Sequence, residues 1–182
     1  SQDNVTRFVD MVKLGEDFVF LVELGAEEST FEVVKIQGAT GAVMRDYQAS
    51  TSEFNFRPQG LEVHGTNVLA YGGTDMNGTM ESFYVDFNSS LQVQTSETVS
   101  DGRYQMVKDV LHKGDDKFAI VGDYHDSRVS MIHEYRVFAS SINAKSLDIC
   151  ENVNDEGVKR IKMLDSAAED YLVLAQNDSR TD

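Results

Sequence analysis

Residues 64–75 read HGTNVLAYGGTD. A short apolar-leaning run, Val68 to Gly72, stands between a Gly-Thr-Asn turn signal and a Gly-Gly-Thr-Asp turn signal. Such a run between turn residues predicts a buried strand. The run recurs. GEDFVFLVELG starts at Gly15, GTNVLAYGGTD at Gly65, GDDKFAIVGDYHD at Gly114 and AEDYLVLAQND at Ala168. Their first strand residues, Phe18, Val68, Phe118 and Tyr171, are spaced fifty, fifty and fifty-three residues apart.

The neighbours recur as well. A second apolar alternation precedes each run: RFVDMVKL, GLEVHG, YQMVKDVLHK and VKRIKML. A third follows the first three runs, as TFEVVKI, MESFYVDF and MIHEYRVF, and then a fourth, as AVMRDYQA, QVQTSETV and SLDICENV. Alternation of period two is the mark of a half-buried strand. No stretch sustains a 3.6-residue pattern beyond two turns, and LDSAAED, residues 164–170, is expected to form one helical turn at most. Four short strands every fifty residues predict stacked four-stranded meander sheets, each buried on both faces.

Composition narrows the classes further. The chain has 182 residues, 41% hydrophobic and 26% charged, the size of one domain and an ordinary globular balance. No run approaches the roughly 18 apolar residues of a membrane helix, and SQDNVTRFVD carries no targeting pattern. The expected material is mature, processed or a piece of something longer. With 31 acids against 16 bases the net charge is −15, which argues against nucleic-acid binding and suits a basic partner, divalent cations or simple solubility. One cysteine, Cys150, excludes a disulfide-built fold; its default reading is a buried strand thiol.

The unit NVLAYGGTDMNGTMESFYVDFNSSLQV, residues 67–93, resembles the repeats of the β-propeller superfamily, and residues 117–148 repeat its plan down to the Ser-Leu-Asp at 146–148. AYGG at 70–73 is similar to the kelch double glycine, where the other units have VELG, IVGD and LAQN; no Trp-Asp dipeptide of the WD40 type occurs. The resemblance implies an all-β fold, a propeller segment of about three and a half four-stranded antiparallel blades. Their expected bounds are 7–53, 56–102, 103–156 and, for the partial blade, 157–182. An open ring leaves bare strand edges. A segment of a larger propeller in a longer polypeptide is therefore expected, with a split propeller completed by another chain as the alternative.

In a propeller, loops from second to third strand and from blade to blade share one face. That face is expected to carry Glu27, Glu28, Asp75, Asn77, Asp123, His125, Asp126, Asn177 and Asp178 from the first set of loops, and Glu53, Asp101, Asp155 and Glu156 from the second. Loop carboxylates suit Ca²⁺, and His125 with Asp75, Asp123 and Asp126 forms a candidate metal cluster, though no loop has the Asp-x-Asp-x-Asp-Gly spacing of a dedicated calcium loop. The opposite face is acidic too, with Glu16, Asp17, Asp115, Asp116, Glu169 and Asp170, the pattern of a solvated surface. Of the four histidines, His64, His112, His125 and His133, His125 lies beside Asp123 and Asp126 with His133 across the same expected hairpin. That set could hold zinc, against the default of an exposed loop residue and an ordinary strand residue; no serine is marked as a nucleophile. Asn-x-Ser/Thr sequons fall at Asn4, Asn77, Asn88 and Asn177, four where about one is expected by chance, although turn composition also favours these residues.

These features lead to the expectation of a non-enzymatic structural or protein-interaction module in an extracellular or surface assembly, glycosylated, with no required cofactor. Its partner would be another protein or the remainder of the propeller. The alternatives are a propeller enzyme with its site in further blades and a scaffold subunit of an intracellular or organellar complex.

Overall fold

In the computed structural model every element among the described residues is a β-strand. The structure describes residues 5–25, 30–49, 55–76, 79–99, 104–114, 117–124, 130–136, 147–148, 160–165 and 171–176. They fall into two compact units, Ser1–Val99 and Ser100–Asp182.

The first unit holds two meander sheets. Blade one is β1 (Val5–Leu14), β2 (Asp17–Leu24), β3 (Thr30–Ile36) and β4 (Val43–Gln48), hydrogen-bonded in that order. Blade two is β5 (Asn55–His64), β6 (Asn67–Met76), β7 (Thr79–Phe87) and β8 (Val93–Val99), ordered the same way. All pairs are antiparallel. The first hairpin of each blade closes with two residues, Leu14 pairing with Asp17 and His64 with Asn67. In both, glycine takes the positive φ of the first loop position, +64° at Gly15 and +59° at Gly65, which matches the twist of the flanking strands.

Alternation sends one side of each strand into the contact between the two sheets. Val19, Leu21, Phe31 and Val33 of blade one meet Val68, Ala70, Phe83, Val85 and Phe87 of blade two. The Phe31 and Phe83 rings stack at 5.1 Å and 11°, and Phe56 stands edge-on to both at 5.2 and 5.1 Å. Leu91 joins this core from the β7–β8 turn at φ +53°, a conformation that costs a leucine about 1–2 kcal/mol. Its side chain is 3% exposed, and burial returns about 1.5–3 kcal/mol. Packing therefore outweighs backbone preference at this turn. The outer strands β4 and β8 are exposed along nearly their whole length, whereas β1 and β5 pack on each other as the inner strands.

The second unit repeats the plan. β9 (Tyr104–Gly114), β10 (Lys117–Tyr124), β11 (Ser130–Arg136) and β12 (Leu147–Asp148) form one antiparallel sheet, and β13 (Arg160–Asp165) with β14 (Tyr171–Gln176) forms a two-stranded one. Val107, Val110, Phe118, Ala119 and Ile120 are buried, and β13 packs against β9 as β5 does against β1.

Three local expectations change. The Gly-Gly-Thr-Asp signal is not a turn: β6 runs on through it to Met76, with Gly72 paired to Pro58 and Phe83 and Gly73 to Arg57 and Ser82. Gly72 is there for close approach. A Cβ on it would collide with the Arg57 carbonyl oxygen and stand 2.9 Å from Phe83 Cε1 and from Pro58 Cα. Leu164 and Asp165 are strand residues of β13, not the start of a helical turn; residues 166–170 lie outside the described set. The fourth strand expected over residues 146–153 is described only at Leu147–Asp148. Residues 38–41 form the turn between β3 and β4, with Gly41 N–H donating to the Gln37 carbonyl at 2.8 Å.

Gly72→Ala is expected to lower stability by about 1–3 kcal/mol through overpacking against backbone that cannot withdraw. Denaturant titration checks this. A midpoint matching the parent protein would mean the close approach at Gly72 is wrong.

Candidate functional site

The inner strands are where a propeller presents chemistry to its axis, so the β1–β5 seam is the first place to look. Both strands are irregular there: β1 shifts register between Val5 and Arg7 and between Phe8 and Asp10, and β5 between Pro58 and Gly60. Bulges re-aim side chains and break ladder pairing. Asp10 exploits this. Its Oδ2 accepts the Leu61 backbone N–H at 3.0 Å, and its Oδ1 accepts Met11 N–H at 2.8 Å. Arg7 donates from Nη2 to the Pro58 carbonyl at 3.0 Å and from Nε to Glu23 at 2.8 Å. A side chain on Gly60 would strike the Tyr71 hydroxyl and lie 3.2 Å from Asp10 Oδ2. Arg7, Asp10, Glu23 and Tyr71 thus meet in one polar seam, and its two best-placed charges hold the backbone of the next blade.

A second cluster ties the first hairpin of blade two to its third strand. Asp86, 7% exposed, accepts from Asn67 Nδ2 at 3.0 Å and is bonded to His64 Nε2 at 2.7 Å. Buried carboxylates are tolerated when both oxygens are engaged. An imidazole held by a carboxylate is half of a triad, but the elements it joins also make it a brace for the hairpin. The third cluster is Lys35, whose ammonium lies 3.1 Å from Asp17 and donates at 2.8 Å to the Ser89 carbonyl in the β7–β8 turn of blade two. Two hydroxyls, Thr74 Oγ1 and Ser82 Oγ, are buried without a hydrogen-bond partner, and nothing in the structure explains them.

Two groups have shifted acidity. Burial pushes the Tyr47 phenol above its ordinary 10.0. Burial first, and the Asp46 carboxylate second, push the Glu32 carboxyl above its ordinary 4.5.

The sequence-derived candidates stand as follows. Asn88 lies in the β7–β8 turn, half-buried, its Oδ1 accepting from Ser90 N–H at 2.9 Å and Gln92 N–H at 3.0 Å and its Nδ2 donating to Gln92 Oε1 at 3.0 Å. It is a turn-forming residue as well as a sequon. Asp75 and Asp123 lie in strands β6 and β10, paired with Met80 and Ser130, and not in the loops beyond them. Asn4, Asn77 and Asn177, Glu27, Glu28 and Glu53, Asp101, Asp155 and Glu156, His125 and Asp126, and Cys150 lie outside the described residues. Among the described residues no three His, Cys, Asp or Glu side chains converge as metal ligands. Sequence reasoning missed Arg7, Asp10, Lys35 and Asp86. The one signal was an acid inside an apolar strand, Asp10 in RFVDMV and Asp86 in FYVDF.

No protein-family model matches the chain, and no curated protein matches it. Among solved structures it is similar to a subtype N10 neuraminidase-like protein of A/little yellow-shouldered bat/Guatemala/060/2010, at 10% identity and a TM-score of 0.54, over 78% of this chain. The chain spans 43% of that protein's length. The likeness is one of fold: this chain is an all-β propeller segment of four-stranded antiparallel sheets.

Asp10→Ala leaves the Leu61 N–H unpaired and is expected to cost about 1–3 kcal/mol, with Asp10→Asn costing less because it keeps an acceptor. Equal unfolding midpoints for the two variants would refute the clasp. For Glu32 the sign follows from its raised pKa. Folding holds the proton more tightly, so its contribution is present below the ordinary value and lost as pH rises through the raised one. Glu32→Gln should therefore raise the melting temperature at neutral pH, and the gap should close near about pH 3, where the parent carboxyl is protonated in both states. A gap that persists at low pH would assign the effect to packing.

Proposed function

We propose that the chain is a non-enzymatic β-propeller module that works by binding protein, in an extracellular or surface assembly. The observation that carries this reading is the use of charge at the inner strands. There, where a channel enzyme would aim its reacting groups, Arg7 and Asp10 hold the Pro58 carbonyl and the Leu61 N–H across the seam. Chemistry at an axis needs such groups free to meet a substrate.

The surface supports a contact role. β4 and β8 offer exposed outer strands with Val43, Met44 and Val93 bare to solvent. Glu27, Glu28, Asp101, Asp155 and Glu156 are the acids the sequence offers for such a contact, and the charge of −15 favours a basic partner surface. The reading calls for no cofactor; Ca²⁺ binding, for which Asp75, Asp123, His125 and Asp126 are the candidates the sequence offers, would be an addition to it. Glycans at Asn4, Asn77, Asn88 and Asn177 would fit the extracellular location. The double glycine Gly72-Gly73 supports a relation to kelch-like blades. The neuraminidase-like neighbour brings the rival reading, an enzyme whose site lies in further blades.

The test is recovery of the native polypeptide with its bound proteins, beside a Glu27→Lys/Glu28→Lys variant. A stoichiometric partner should be retained at about 0.1 M salt, weakened at about 0.5 M, and lost by the variant with its melting temperature unchanged. A polypeptide that isolates alone at both salts, or turns over a glycoside, would overturn the proposal. Enzymatic deglycosylation should lower its mass; an unchanged mass would remove the surface assignment.

A further inference from the structure

The two blades of the first unit correspond position by position through their pairing. Met11, Phe20 and Val34 form one row across β1, β2 and β3, as Leu61, Ala70 and Val85 do across β5, β6 and β7. Phe18 pairs with Ile36 as Val68 pairs with Phe87. In blade two these residues form the face that packs on blade one, and all five are buried. In blade one the matching residues lie on the side away from blade two. Met11 is 46% exposed and its neighbour Phe8 58%, while Phe18, Phe20, Val34 and Ile36 are half-buried. A sheet face meant for water alternates polar residues there; this one carries Met11, Phe18, Phe20, Val34 and Ile36 across three strands, with Lys13 and Glu32 at its ends.

We propose that this open face of blade one docks a further four-stranded blade of the same propeller, encoded outside these 182 residues. The repeat specifies the occupant. What covers the equivalent face of blade two is the apolar surface of Val19, Leu21, Phe31 and Val33. The open face of blade one takes a surface of the same kind, a continuation of the contact already formed between blades one and two. Contiguous exposed apolar residues mark contact sites. The pattern departs at Lys13, exposed where blade two has Val63, and at a second position that refines the occupant. Glu32, with Asp46 beside it, stands where blade two has Phe83, as the pairings Val22–Glu32 and Gly72–Phe83 place them. The docking blade is therefore expected to bring a lysine or arginine to that end of the face. The inference is independent of whether the acidic loops bind a partner.

The test places a benzophenone amino acid at Val34 in the full polypeptide as its source encodes it, irradiates, and maps the adduct by mass spectrometry. The expected adduct joins Val34 to a strand of the same polypeptide outside residues 1–182. The same probe at Val85 should join to blade one, and at Thr95 on exposed β8 should give no adduct. A Val34 adduct to a second copy, to another protein or within residues 1–182 overturns the proposal. So does the absence of an adduct when the Val85 probe reacts, or a native polypeptide with no further blade. A probe at Met11, in the same row, should reach the same blade, which guards against a local distortion at Val34.

Discussion

Sheet-on-sheet contact between consecutive blades is the constraint on which the rest depends. An isolated four-stranded meander leaves one apolar face, or two, in water. Here the stacked Phe31 and Phe83 rings, with Phe56 across their edges, sit where the faces of blades one and two meet. Around them Val19, Leu21, Val33, Val68, Ala70, Val85 and Phe87 leave water together. Leu91 accepts an unfavourable backbone angle to join them. Gly72 gives up its side chain so that β5 and Phe83 can close over β6. Both choices are local losses that make sense only in terms of the burial they permit.

Polar residues then lock the register of that contact. Apolar faces slide easily, because burial carries little direction. Directed bonds do not. Asp10 with the Leu61 N–H and Arg7 with the Pro58 carbonyl fasten the inner end of the two blades. Lys35 with the Ser89 carbonyl fastens the other end. Each bond crosses between blades and meets backbone. The result is a wedge pinned at two points with aromatic rings between them.

Much of the architecture was legible in the residues. The fifty-residue spacing of Phe18, Val68 and Phe118 follows from a unit of four strands and their turns, and each of the three is found in the second strand of its sheet. The turns at Gly15 and Gly65 were also legible, since a two-residue hairpin loop needs a positive φ that glycine supplies. The candidate site was far less so. Gly and Asp are turn formers, so local chemistry points Asp75 and Asp123 to loops, yet pairing with neighbouring strands holds both in β-structure. Local propensity yielded to ladder hydrogen bonds made with residues elsewhere in the blade.

The sequence by itself determined what short-range chemistry controls: strand periodicity, hairpin closure, the repeat and the net negative charge. Those depend on neighbours a few residues away, so they can be read in a line. The tertiary structure alone decided the roles of Gly72, Asp10, Lys35, Asp86 and the apolar face around Phe20. Asp10 finds its partner 51 residues along the chain and Lys35 finds one 54 along. Whether Phe20 meets water or another sheet depends on which blade lies beside it. Such relations exist only once blades stack, and the physical reason is that burial and clasping are properties of pairs of surfaces, not of segments.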